Sequence, residues 1–126
     1  NGCFYTDPTT SKPTFSNHYP GGIVASDIVA NVITDPDVVF EVKVDDANAG
    51  LAQVGSTANI ASYSVGDTTS GISNVAIDGD TFATSSASNF AVVALSTDVD
   101  NSDYTAANSN ILVRINKHQF RDTTGI

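Results

Sequence analysis

Residues branched at Cβ dominate this chain, and the straight-chain residues that favour helices are nearly absent. The 126 residues include 14 Val, 9 Ile and 14 Thr, against 3 Leu, one Glu and no Met. Branched side chains lose rotamer freedom in a helix but pack well on a pleated sheet. Asp and Ser, with 13 and 14 copies, favour turns and caps over helix interiors. The sequence therefore predicts an all-β fold.

Short apolar segments separated by Gly, Asp, Ser and Thr indicate the architecture. The clearest strand covers 38–44, where apolar and polar positions alternate with a period of two. Short strands with such spacing predict a small antiparallel β-sandwich or β-barrel, with at most one short helical turn around 49–54. The other strand candidates are 60–65, 72–77, 90–96 and 111–116, and the apolar stretch 23–33 predicts one buried strand or a strand pair.

The chain divides into an N-terminal arm or hairpin over residues 1–22 and a β domain over 23–126. The arm is rich in turn formers, and four aromatic residues are interleaved with them. Aromatic side chains make good anchors in protein interfaces, but they also serve as ordinary core residues, and both interpretations stay open. The four are Phe4, Tyr5, Phe15 and Tyr19.

Charge is strongly negative in balance and unevenly distributed. The net charge of −9 argues against a sequence-independent nucleic-acid binder, and no apolar run is long enough for a membrane helix. Residues 44–113 contain eight Asp and no Lys or Arg, whereas the last thirteen residues include Arg114, Lys117 and Arg121. This basic segment is expected either to dock on an acidic surface of a neighbouring copy or another protein, or to protect an exposed strand edge.

No arrangement of residues points to an enzyme. The single cysteine, Cys3, is predicted to be a small buried hydrophobe, because it has no partner for a disulfide or a zinc site. Asp98–Asp103 lacks the Gly and Glu positions of an EF-hand, so a solvated loop is predicted there, and a tight turn is predicted over 78–80. The two histidines, His18 and His118, stand in no catalytic motif. We expect no catalytic residues, metal or cofactor.

Several segments together resemble a family of tailed-bacteriophage virion proteins, of the marine and cyanobacterial phage type, described as head decoration or cement-like structural proteins. The likeness extends over nearly the whole chain in order and spacing. Because the chain has no Met, we expect it to be processed or to be the later part of a longer protein. The segments that carry the likeness are Tyr19-Pro20-Gly21-Gly22, Asp35-Pro36-Asp37-Val38-Val39-Phe40-Glu41-Val42, Ala58-Asn59-Ile60, Thr69-Ser70-Gly71-Ile72-Ser73 and Leu112-Val113-Arg114-Ile115-Asn116-Lys117-His118-Gln119-Phe120.

The resemblance implies a non-enzymatic protein on the outside of the virion head, bound to an HK97-like major capsid protein and clamping neighbouring capsid subunits. It also implies a homo-oligomer, with a trimer favoured. The protein-interface residues expected for this role are Phe4, Tyr5, Phe15, Tyr19, Arg114, Lys117 and Arg121.

Two other functions remain open at this level. One is a receptor- or glycan-binding β domain of a phage tail fibre, for which Tyr5, Tyr19, Tyr63 and Tyr104 are the natural aromatic platforms because the chain has no Trp. The other is a tail or connector structural protein.

Overall fold

A computed structural model describes residues 2–61 and 66–121 of the chain. The chain divides into two compact units. The first comprises Asn1–Thr34 and Val65–Asn74, and the second Asp35–Ser64 and Val75–Ile126. The boundary expected at residue 22 therefore falls inside the first unit. The all-β class is confirmed, since the described residues form eight strands in two sheets and no α-helix.

The first unit contains a three-stranded antiparallel sheet. Its strands are β1 (Cys3–Thr6), β2 (Pro13–Ser16) and β3 (Val29–Ala30), in the order β2-β1-β3. Cys3 is buried, as predicted, and its thiol donates to the carbonyl of His18 at 3.6 Å. Among the described residues of this unit, Cys3 is the one buried residue. The unit is therefore a thin layer without a core of its own.

The prediction of a buried strand or strand pair over 23–33 is wrong. This stretch contributes the two-residue strand β3, and Val24 and Val32 are 87% and 75% exposed. Part of its attachment comes from the carboxylate of Asp27, which accepts the N–H of Thr6 at 3.1 Å. Because the described residues of the unit form no second apolar layer, most of this stretch stays exposed.

The second unit contains a five-stranded sheet that curls into a half-barrel. The sheet order is β5-β7-β8-β4-β6, and the β4–β6 pair is parallel while the other pairs are antiparallel. The long strands at 39–44, 90–95 and 110–115 confirm the predictions there to within one residue. The strands are β4 (Val39–Val44), β5 (Thr57–Ala58), β6 (Ala76–Ile77), β7 (Phe90–Leu95) and β8 (Asn110–Ile115).

The other two predicted strands, 60–65 and 72–77, are found only in part among the described residues. Of the segment 72–77, only β6 is a strand. Of the segment 60–65, Ile60 forms a bridge with Ile77, and residues 62–65 lie outside the described residues.

One stretch of chain links the two edges of the large sheet. After β5, which pairs with β7, the N–H of Ala61 donates to the carbonyl of Ala76 at 2.9 Å. The N–H of Asp78 likewise donates to the carbonyl of Asn59 at 3.1 Å. These bonds join the chain after β5 to β6. The second unit also contains an apolar core. The buried members of this core are Val44, Ala49, Ala58, Ile77, Val92, Leu95, Ile111 and Val113.

Three short 3-10 turns occur in the described chain, where the sequence predicted at most one helical turn. Leu51–Gln53 is the turn expected within 49–54. The other two, Gly79–Thr81 and Val99–Asn101, follow Asp78 and Asp98, whose carboxylates accept the N–H groups of Asp80 and Asp100. Asp is a strong cap for such turns, so the turn predicted over 78–80 is confirmed in this form.

Candidate functional site: an exposed aromatic face and two charged ends

The small sheet carries an exposed row of apolar side chains across all three strands. Phe4 of β1 lies opposite Phe15 of β2 and Val29 of β3. The two rings are tilted with centroids 4.9 Å apart, and the three residues are 50%, 53% and 61% exposed. Side chains alternate between the faces of a strand, so Cys3 points to the opposite face. We call Phe4, Phe15 and Val29 the aromatic face.

The sheet brings together two of the four aromatic residues predicted for an interface. Tyr5 lies on the opposite face from Phe4, opposite Thr14, and is half-buried. Tyr19 follows β2 and is 48% exposed. Phe4 and Phe15 therefore form a pair, while Tyr5 and Tyr19 are placed separately.

Hydrogen bonds to Asp7 shape the hairpin that presents the aromatic face. Its carboxylate accepts the N–H of Thr9 at 2.7 Å and that of Thr10 at 3.1 Å. These bonds, that of Thr9 first, hold the pKa of Asp7 below its usual value. The N–H of Asp7 also donates to the carbonyl of Lys12 across the turn. The bonds of the hairpin turn therefore favour the ionised form of Asp7.

A second turn of the same unit packs against His18. The ring Nε2 of His18 lies 2.9 Å from the carbonyl oxygen of Thr68. Gly71 has φ +73°, and a Cβ there would lie 2.7 Å from the His18 ring. The Asp67 carboxylate accepts the N–H of Thr69 and the hydroxyl of Ser70, and these bonds hold the pKa of Asp67 below its usual value. The turn therefore needs glycine at position 71.

The three predicted basic residues lie near the start of β4 and the end of β8. Arg114 is exposed on β8, in register with Val39 and Ala91, and Lys117 is exposed just after the strand. Arg121 forms an ion pair with Asp37 and donates to the carbonyl of Ile115 at 3.3 Å. The charge of Arg121 is therefore neutralised by Asp37 within the same unit. We call the other two residues, Arg114 and Lys117, the basic end.

Seven Asp residues collect at the opposite end of the large sheet. Strands β4, β6 and β7 run in the same direction, because β6 is parallel to β4, and β4 and β7 are both antiparallel to β8. The loops that follow them therefore lie at one end of the sheet. We call the following residues the acidic end: Asp45, Asp46, Asp78, Asp80, Asp98, Asp100 and Asp103.

Repulsion acts within the acidic end. Asp45, Asp46 and Asp78 each place a carboxylate oxygen within 4.8 Å of the other two. The neighbouring charge of Asp45, followed by partial burial and the charges of Asp80 and Asp78, raises the pKa of Asp46. Three carboxylates could bind a divalent cation, although Ca²⁺ takes six to eight oxygen ligands. The expectation of no metal stays a prediction.

The loop that carries Asp98 and Asp103 is fixed by Asn101. Its side-chain amide donates to the carbonyls of Ser96 at 3.2 Å and Asn110 at 2.8 Å. Its Oδ1 accepts the N–H of Asn110 at 2.6 Å, and the residue is 8% exposed. The Asp side chains of this loop are exposed, as a solvated loop requires. The role of Asn101 cannot be predicted from the sequence, because Asn in a polar loop looks like any other turn residue.

The tyrosines considered as glycan platforms are unevenly suited to that role. Tyr104 packs against the core, and its hydroxyl donates to the carbonyl of Ser96 at 3.0 Å. Tyr63 lies outside the described residues. Tyr19, at 48% exposed, offers the most accessible of the described tyrosine rings.

Comparison with protein-family models, curated proteins and solved structures found no match for this chain. Within the described residues, no helix has the length and apolar character needed to cross a membrane.

Proposed function

We propose that this protein is a non-enzymatic structural component of a tailed-phage virion that binds the outside of an HK97-like head and clamps neighbouring capsid subunits. The observation that carries the proposal is the aromatic face, because it exposes two paired phenylalanines on a unit with a single buried residue among those described. Such a face is stabilised when a partner protein covers it.

The energetics of this role are additive. Moving a Phe side chain from half exposed to buried contributes about 1 kcal/mol or more. Two rings and Val29 thus provide a modest contribution per copy, and a head that binds many copies sums these contributions. Each copy that binds the assembled head but not its dissociated subunits also shifts the equilibrium toward the intact shell. A head can therefore be stabilised even if each copy binds it with only modest affinity.

The experiment measures occupancy on purified mature heads that lack the protein. The wild type is expected to bind and to raise the temperature at which heads release DNA, whereas the double variant Phe4→Ser/Phe15→Ser binds several-fold more weakly. Leu51→Ser is the matched control, because Leu51 is an exposed apolar residue of the other unit, at 81% exposed. Absence of wild-type binding, or equal binding by the double variant, contradicts the proposal.

A second measurement distinguishes the glycan-binding alternative from the proposed head protein. A receptor-binding domain gives a reproducible hit on a glycan array, or a melting temperature that rises with Ca²⁺ in the free protein. A head protein gives neither and binds heads.

A further inference from the structure

We infer that the basic end of the second unit is a docking surface for the acidic end of a second copy, so that copies associate head to tail. This inference uses a surface other than the aromatic face and does not depend on the proposed function. It concerns the described residues of the second unit alone.

The basic end is exposed and has no carboxylate partner of its own. In residues 2–61 and 66–121 the one ion pair is that of Arg121 with Asp37, which leaves Arg114 and Lys117 unmatched. Val39, the cross-strand neighbour of Arg114, is 47% exposed. Two free cations beside an exposed apolar side chain suit a partner that offers carboxylates around an apolar residue.

The acidic end of another copy offers that combination. Its loops contain no Lys or Arg, and Val99 stands between Asp98 and Asp100 with 87% of its surface exposed. The raised pKa of Asp46 reflects carboxylates that repel one another in the isolated chain. Cations from a neighbour would relieve this repulsion.

The two ends of one copy cannot satisfy each other. They lie at opposite ends of β4, a strand of six residues, and such a strand is about 20 Å long. The Debye length at physiological ionic strength is about 8 Å, so the two ends of one copy do not interact. For the same reason, the acidic residues of a second copy that lie far from the contact contribute little repulsion, although the net charge of each copy is −9. A contact between unlike ends is heterologous, so it generates either a closed ring or an open chain.

The test measures the mass of the purified protein by sedimentation velocity at physiological ionic strength and at high salt. The wild type is expected to associate at physiological ionic strength, where distant charges are screened, and to dissociate as salt rises and screens the contact itself. The variant Arg114→Glu/Lys117→Glu should be monomeric, and so should Asp46→Lys/Asp100→Lys at the acidic end. Lys12→Glu is the control for added negative charge, because Lys12 is exposed in the other unit, and it should associate like the wild type.

The decisive measurement uses a mixture of the two charge-reversed variants, Arg114→Glu/Lys117→Glu and Asp46→Lys/Asp100→Lys. The unaltered basic end of one variant matches the unaltered acidic end of the other, and the two reversed ends also match each other. A 1:1 mixture should therefore associate into alternating rings or chains, which neither variant forms alone. Circular dichroism melts confirm that each variant is folded. The inference is overturned if the wild type stays monomeric at physiological ionic strength, if association is unchanged by both reversals, or if the mixture stays monomeric.

Discussion

Single residues in this protein set the stability of its loops through the ionisation of aspartate. At Asp46, neighbouring carboxylates raise the pKa, whereas at Asp103 the hydroxyl and N–H of Thr105 hold the pKa below its usual value. A raised folded-state pKa means that ionisation destabilises the fold, and this effect grows as pH rises through the folded pKa. A lowered folded-state pKa means the reverse, with stability that is lost as pH falls through the folded pKa.

Asp46→Asn is therefore expected to raise the melting temperature at pH 7 and to change it little at pH 3, where Asp46 is largely protonated in the folded state. Asp103→Asn is expected to lower the melting temperature at pH 7, because a neutral amide oxygen accepts the Thr105 bonds more weakly than the carboxylate does. Thermal melts of dilute protein at both pH values measure these shifts. Shifts of the same sign for both variants at pH 7 would contradict the assignment.

Asn101→Ala is expected to destabilise the second unit by about 1–3 kcal/mol, because it leaves the Asn110 N–H without its acceptor at a mostly buried position and removes one donor each from the carbonyls of Ser96 and Asn110. Denaturant unfolding measures the change in free energy. Ser102→Ala is the control, since Ser102 is the next residue of the same loop and is exposed. Equal effects at the two positions would show that the Asn101 bonds contribute nothing specific.

Elements of this fold depend on turns whose backbone conformation only glycine adopts easily. Gly71 combines φ +73° with a close approach to the His18 ring, whereas Gly50 has an extended φ of 171° and no atom within 4 Å of an added Cβ. A side chain would therefore meet an unfavourable backbone conformation and a close neighbour at position 71, but neither of these at position 50.

Gly71→Ala is expected to destabilise its turn by about 1–2 kcal/mol or more, because the left-handed conformation is costly for Ala and the methyl group meets His18. Gly50→Ala is expected to be neutral or slightly stabilising. Hydrogen exchange of the amides of residues 66–72 gives the readout, and unchanged protection in Gly71→Ala would contradict the account.

At the scale of the whole molecule, the two units differ in how much they bury. The second unit has an apolar core inside its curled sheet, while among described residues of the first unit only Cys3 is buried. The free energy of local opening is lowest where few apolar contacts are lost.

The amides of β1, β2 and β3 should therefore exchange faster than those of β4, β7 and β8 in the free protein. Binding to heads should slow exchange in the first unit preferentially if the aromatic face is the contact surface. Hydrogen exchange with mass-spectrometric readout measures both effects, and equal protection of the two units in the free protein would contradict the first expectation.

The all-β class and the three long strands follow from local properties of the chain, namely its β-branched composition, the apolar–polar alternation over 39–44 and the short apolar runs within 90–95 and 110–115. The excess of Asp between residues 44 and 113 is also visible in the sequence. The other features depend on the folded structure, since burial and proximity depend on which distant segments meet. The stretch 23–33 is exposed because its unit supplies no second layer, and Arg121 pairs with Asp37 across 84 residues of sequence. Seven aspartates lie at one end of the large sheet, because β4, β6 and β7 run in the same direction and the loops that follow them contain these residues. No local sequence pattern encodes the relative direction of distant strands.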